Sequence, residues 1–442
     1  MSSASRTPTL SRLSAAMALT CATALLASAA AFAQPRLPPP EATDPVARGV
    51  MAGSPPAADK RVSLRNVLAY PNSRWAFHHM RELGPTLAVS RGAMESKSLG
   101  TRSAGLDALG FDSGPEARST VGQWQTDTYT DGLLVLHRGK VVHESYGAGM
   151  QPQQPHALWS VSKSFVGLLT AWLVHDGTLD ARAPLSRYVP ELAGTAWADA
   201  TVQDTLDMTT GVAYSEAFAD PQSGIHRYLR ASGLVPAAGD DAGPRTLYDF
   251  LAGVKKEGEH GAGFRYKSAD SEVLGWVLRR VTGKSVAELL SERVWSRIGA
   301  EQDAYYWLDG IGTDVASVGL NATLRDLGRF GELMRQGGKA NGRQIVPAEV
   351  VAEIRKGGDQ QKFAVGGASV RKGYSYHDQW WIAHDADQTF EAKGVFGQHI
   401  HVNPAAELVI VKLSSHPVPD TAFTHTLDRA AFAAIAGALR RD

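Results

Sequence analysis

Apolar positions along the chain fall into two patterns. Leu133-Leu134-Val135-Leu136 and Val141-Val142 flank the turn His137-Arg138-Gly139-Lys140 and predict a β-hairpin over 132–146. Strand-like patterns return at 374–384, 397–403 and 408–414. Between these ends helical spacing dominates. A helix opens at Ser160, runs through the apolar stretch Val166 to Val174 and stops near Asp176-Gly177. A helical, loop-rich region follows over 179–263, and its part 208–245, rich in Gly, Ala, Asp and Pro, reads as a loop over a pocket. A helix over 268–281 is closed by Gly283, and Ser285-Val286-Ala287-Glu288 is a capping box that opens another. Helices are predicted over 323–337 and 347–355, and an amphipathic helix over 422–440 ends the chain. Strands at both ends with helices between them predict an α/β (α+β) fold. Its antiparallel sheet is built from both chain ends and flanked by helices, and a helical lobe is inserted. Trp380-Trp381 puts one ring on each face of its strand, one for the core and one for a pocket wall.

The N-terminus stands outside this pattern. Arg6 and Arg12 precede an Ala-rich apolar stretch from Leu13 to Phe32, and Ala31-Phe32-Ala33 fits a signal-peptidase site, which makes residues 1–33 a signal peptide. The same stretch is marginal in length for a membrane anchor. Residues 34–60, rich in Pro and Ala, read as a disordered lead, and 61–442 as the folded domain, with Trp75 to Met80 as a packing patch. Cleavage removes Cys21, the one cysteine, so the mature chain has no disulfide, thiolate metal site or cysteine nucleophile. Export to a bacterial periplasm or medium is expected, with no membrane span after cleavage. The 442 residues are 43% hydrophobic and 20% charged with zero formal net charge, so there is ample core and no basic stripe for nucleic acid. Oligomeric state is not written in the chain.

The candidate chemistry begins at Ser160-Val161-Ser162-Lys163. On a helix, Ser160 and Lys163 stack one turn apart, with Ser160 at the N-terminus where the dipole favours a developing oxyanion. A buried lysine there can take the hydroxyl proton. Taken alone, the spacing is equally that of a Ser-rich helix start. A second copy, Ser369 to Lys372, lies in a Gly-rich polar stretch with no apolar helix after it and reads as solvated surface. Tyr266, just before a helix, is placed to carry protons, or simply to pack. In Lys393-Gly394-Val395-Phe396-Gly397-Gln398 the glycines allow close approach of backbone to a ligand. The N–H groups of Ser160 and Val395 could form an oxyanion hole, and a plain turn before a strand has the same sequence. Asn321, Trp381, Gly394 and Gln398 are the candidate substrate contacts, with a cap of the following helix as the other role for Asn321. His399 and His401 share a strand face without a carboxylate partner in sequence and read as surface histidines; no metal and no cofactor is expected. Thr282-Gly283-Lys284-Ser285 lacks the first glycine of a phosphate loop, and no Gly-x-Ser-x-Gly elbow occurs.

Ser160-x-x-Lys163, Tyr266 a hundred residues on, and a Gly-rich turn into a late strand resemble, in that order, the serine β-lactamase and penicillin-recognising superfamily. The class C-type branch, with its carboxylesterases and 6-aminohexanoate-dimer hydrolases, is the most similar. Leu206-Asp207-Met208-Thr209-Thr210-Gly211 and Leu324-Arg325-Asp326-Leu327 carry the same likeness. The resemblance implies a β-lactamase-like fold and a small-molecule acyl substrate. It also implies Ser160 as nucleophile, Lys163 and Tyr266 sharing the general-base work, and an oxyanion hole from Ser160 and Val395. Two places depart from class C β-lactamases. Tyr-x-Asn is replaced by Tyr266-Lys267-Ser268, and Lys-Thr-Gly is reduced to Lys393-Gly394. The expected activity is therefore on an ester or small amide. A weak β-lactam or D-amino-peptide hydrolase and a silent penicillin-binding sensor are the alternatives.

Overall fold

A computed structural model describes residues 37–441 apart from 116, 237–242, 368–370 and 420–421. The expected signal peptide and the second Ser-x-x-Lys serine, Ser369, lie outside the described residues. Residues from Pro39 onward form one compact unit.

A seven-stranded antiparallel sheet forms its centre. The strands are β1 (Thr130–His137), β2 (Lys140–Tyr146), β3 (Ser375–His377), β4 (Trp380–Ile382), β5 (Phe390–Gly394), β6 (Gln398–Asn403) and β7 (Leu408–Ser414), in the order β3-β4-β5-β6-β7-β1-β2. The two chain ends meet where β7 pairs β1, with Ile410 opposite Val135. Both strands are buried on both faces, which is why they read as near-continuous apolar runs rather than alternating ones. Leu134, Leu136, Val409 and Val411 point into the main core with Leu327 and Phe330 of a helix at Leu324–Arg335. Leu133, Val135, Leu408 and Ile410 point the other way, onto Phe432, Ile435 and Leu439 of the helix Ala422–Leu439. A second sheet of four short strands takes the order Thr86–Val89, Ala304–Trp307, Leu320–Ala322, His156–Ala157.

Most boundaries follow local signals. The helix α1 (Val161–His175) begins after Ser160, and α2 (Ser268–Thr282) ends at Gly283 with φ +68. Ser285 and Glu288 close the expected capping box. Three expectations are corrected. The run 374–384 is a hairpin, because Asp378 and Gln379 (φ 48 and 66) turn the chain between β3 and β4. The stretch 208–245 contains a helix, Gly224–Ala231. The lead expected to be disordered is packed from Pro40 on: Arg74 donates to Pro40 O at 2.8 Å, and the Tyr70 hydroxyl bonds buried Thr43 at 2.5 Å. Proline richness limited its secondary structure, not its contacts.

No helix of the described residues is long and apolar enough to cross a membrane.

Candidate active site

The chain reaches Ser160 through Trp159, which is held at φ +49. A left-handed backbone is costly for a side chain this large, and surrounding packing must hold it. The indole lies 5.1 Å from the Phe77 ring and 5.2 Å from Phe396, itself at φ +61. This turn aims Ser160 at the start of α1. Lys163 follows one turn later and is fully buried. Its Nζ donates to Ser160 Oγ at 2.8 Å, to Ser317 Oγ at 3.0 Å and to Ser317 O at 3.2 Å. Burial lowers its pKa to about 8, against the opposing fields of Glu216 and Glu272.

Tyr266 enters from the segment before α2. Lys163 Nζ lies 5.3 Å from its ring centroid. Burial raises the phenol pKa, Glu216 adds to the rise, and the nearby Ser160 side chain works against it. The ring stacks on Trp381 at 5.5 Å and 22°. Trp381 is thus a wall of the site, while its neighbour Trp380 is fully buried against Phe390. The C-terminal half of β5 runs past the end of β4, whose pairing covers only Phe390 and Glu391, so this edge faces the nucleophile. A Cβ added at Gly394 would lie 2.5 Å from Leu158 O and 3.1 Å from Ser160 N. Glycine is what lets the strand end pass this close, and Val395 follows it directly. Gly394→Ala is expected to push this strand end away from Ser160 and to lower acylation by roughly 100-fold, the size of a lost oxyanion donor, as read by burst kinetics, with a thermal melt to separate this from loss of folding.

Several expected roles change. Gln398 is fully buried with its amide spent on backbone: Nε2 donates to Ser414 O at 2.6 Å and Oε1 accepts from Ser414 N at 3.1 Å. It braces the strand end and leaves no group for substrate. Asn321 does not cap the Leu324 helix, because Thr323 does, accepting from Asp326 N. Asn321 is buried in the small sheet opposite Ala157, with Nδ2 on Gly319 O at 2.9 Å. His399 and His401 are buried beneath the C-terminal helix; His401 Nδ1 contacts Glu391 Oε1 at 2.9 Å and His399 Nε2 lies 3.4 Å from Asp428. Among the described residues, Asp207, His377 and Asp378 are a different group with metal-capable atoms, but His377 Nδ1 is already bonded to Asp207 at 2.8 Å.

Ser317 and Glu272 escaped the sequence reading because no spacing ties either to the Ser-x-x-Lys motif. Fully buried Glu272 accepts from Ser317 N at 3.1 Å, Ala316 N at 3.2 Å and Tyr228 Oη at 2.9 Å, so it fixes the loop that holds Lys163. Its burial raises its pKa to about 7. Above that pH its charge raises the Lys163 pKa, and Glu272→Gln is expected to move the acid limb of kcat/KM to lower pH. An unmoved limb would show that Glu272 acts on folding alone.

Residues 118–435 match the family model described as Beta-lactamase. Over 374 residues the chain is 35% identical to a 6-aminohexanoate-dimer hydrolase of Paenarthrobacter ureafaciens, covering 84% of this chain and 93% of that one. A solved structure from Bacillus anthracis, assigned as a 6-aminohexanoate-dimer hydrolase, superposes with TM-score 0.81 at 32% identity over 87% of this chain and 99% of its own. A family VIII carboxylesterase shares the fold at TM-score 0.52 and 18% identity, over 69% and 92% of the two chains. With the sheet, the Ser-x-x-Lys helix and these relatives in agreement, the chain belongs to the beta-lactamase family and is a serine hydrolase of its amidase and esterase side.

Proposed function

We propose that this is an exported hydrolase that cleaves an ester or a small linear amide through an acyl-enzyme on Ser160. The carrying observation is the 2.8 Å bond between Lys163 Nζ and Ser160 Oγ, with the amine buried and its pKa lowered to about 8. Neutral Lys163 takes the Ser160 proton as Oγ attacks the acyl carbon. The N–H groups of Ser160 and Val395 hold the oxyanion, supported by the approach of Gly394. Tyr266 passes the proton to the leaving group, which departs and leaves the Ser160 ester. Water then attacks that ester with Lys163 and Tyr266 as base, releasing the acid and restoring Ser160. The relative named for the 6-aminohexanoate dimer directs the amide choice to short chains of aminoalkanoic acids. The Arg6, Arg12 and Ala31-Phe32-Ala33 pattern supports export.

The test is turnover of p-nitrophenyl butyrate and of the linear 6-aminohexanoate dimer by protein starting at Gln34. Release of nitrophenol and of free amine is expected. Folded protein that cleaves neither, and takes no fluorophosphonate on Ser160, would overturn the reading.

A further inference from the structure

Arg371 is a buried cation packed against the aromatic wall of this site. Its residue exposure is 6%, and neither Nε nor Nη1 has a hydrogen-bond partner among the described residues. Its Cζ lies 4.0 Å from the centroid of the Trp381 ring, the same ring that stacks on Tyr266. Tyr374 lies on another side, with its centroid 5.8 Å away. Burial lowers the Arg371 pKa, and the fields of Glu391, Tyr374 and Tyr266 oppose that fall. Glu391 is engaged through Oε1 with His401 and also feels Lys393, while its Oε2 has no hydrogen-bond partner among the described residues and its charge, though not a bond, offsets that of Arg371. Arg429, which faces Arg371 from the C-terminal helix, adds a further positive charge. Stacking on an indole compensates only part of the desolvation of a guanidinium, and Nε and Nη1 still lack an acceptor among the described residues. A planar fork of this kind matches a carboxylate.

We infer that Arg371 anchors a carboxylate carried by the substrate at the end remote from the bond that Ser160 attacks. The inference rests on the proposed acyl-enzyme function and narrows its substrate to linear esters and amides whose acyl half ends in a carboxylate, so it favours dicarboxylic half-acids over aminoalkanoic chains, whose acyl half ends in an ammonium group. One aromatic ring, Trp381, separates the anchor from Tyr266.

Two measurements test this. The first compares kcat/KM for mono-p-nitrophenyl adipate and p-nitrophenyl hexanoate in wild type, Arg371→Gln and Arg371→Lys. The adipate-to-hexanoate ratio is expected to fall roughly 30-fold in Arg371→Gln, the worth of one charge-assisted bond pair, with Arg371→Lys between. An unchanged ratio, even with both rates lowered, would make Arg371 structural and overturn the inference. The second titrates adipate into Ser160→Ala by calorimetry. Saturable binding that vanishes in Ser160→Ala/Arg371→Gln is expected. No binding, or binding that survives the double change, overturns the anchor. Adipate binding lost with Arg371 in a protein that turns over neither ester would keep the anchor and sink the acyl-enzyme reading instead.

Discussion

Ser160→Ala is expected to abolish labelling by a fluorophosphonate and to lower kcat on p-nitrophenyl butyrate by roughly 10⁴-fold or more, the range for loss of an activated serine nucleophile. Three serines crowd the start of α1, and only one is free to react. The Ser162 hydroxyl accepts from Leu320 N at 3.1 Å, and Ser164 Oγ donates to Gln379 O at 2.8 Å; both are buried structural braces. Ser160 alone receives the lysine, at 2.8 Å, and stands beside Tyr266 and the Gly394 strand end. Intact-mass spectrometry after labelling should show one adduct on wild type and none on Ser160→Ala. An adduct that persists in the variant would place the nucleophile elsewhere.

Lys163→Arg should be nearly as damaging. Arginine keeps the positive charge but stays protonated at any working pH, so it cannot accept the Ser160 proton. Loss of general-base action is worth roughly 10²- to 10⁴-fold in kcat, and the larger figure is expected where the base touches the nucleophile. The wild-type pH profile carries the same information. Lys163 works as the neutral amine, whose fraction grows as pH rises through about 8. kcat/KM should therefore rise about tenfold per pH unit below that value and level off above it. A profile flat from pH 6 to 9 would mean that Lys163 is neutral throughout or is not the base. With Glu216 and Glu272 raising its pKa against burial, the position of the limb reports how that balance is set. Thermal melts of Lys163→Arg would separate loss of chemistry from loss of folding, since a larger cation must fit a fully buried space.

Features set by local geometry were legible in the sequence. Ser160 and Lys163 meet because three residues make nearly one helical turn, a relation fixed within four positions. Gly283 and Ser285 mark helix ends because caps are local hydrogen bonds. The split of Trp380 and Trp381 between core and site follows from the two-residue period of a strand. Tertiary structure decided everything that depends on which distant segments touch. Tyr266 reaches Ser160, and Ser317 reaches Lys163, across more than a hundred positions each. Gln398 looked free for substrate, yet pairing of β6 with β7 buried it on Ser414. His399 and His401 looked exposed until the last helix covered their face of the sheet and Asp428 came with it. Periodicity tells which face of an element is buried, but the groups that cover that face come from elsewhere in the chain. Those groups set the Lys163 proton affinity and pack Arg371 against Trp381.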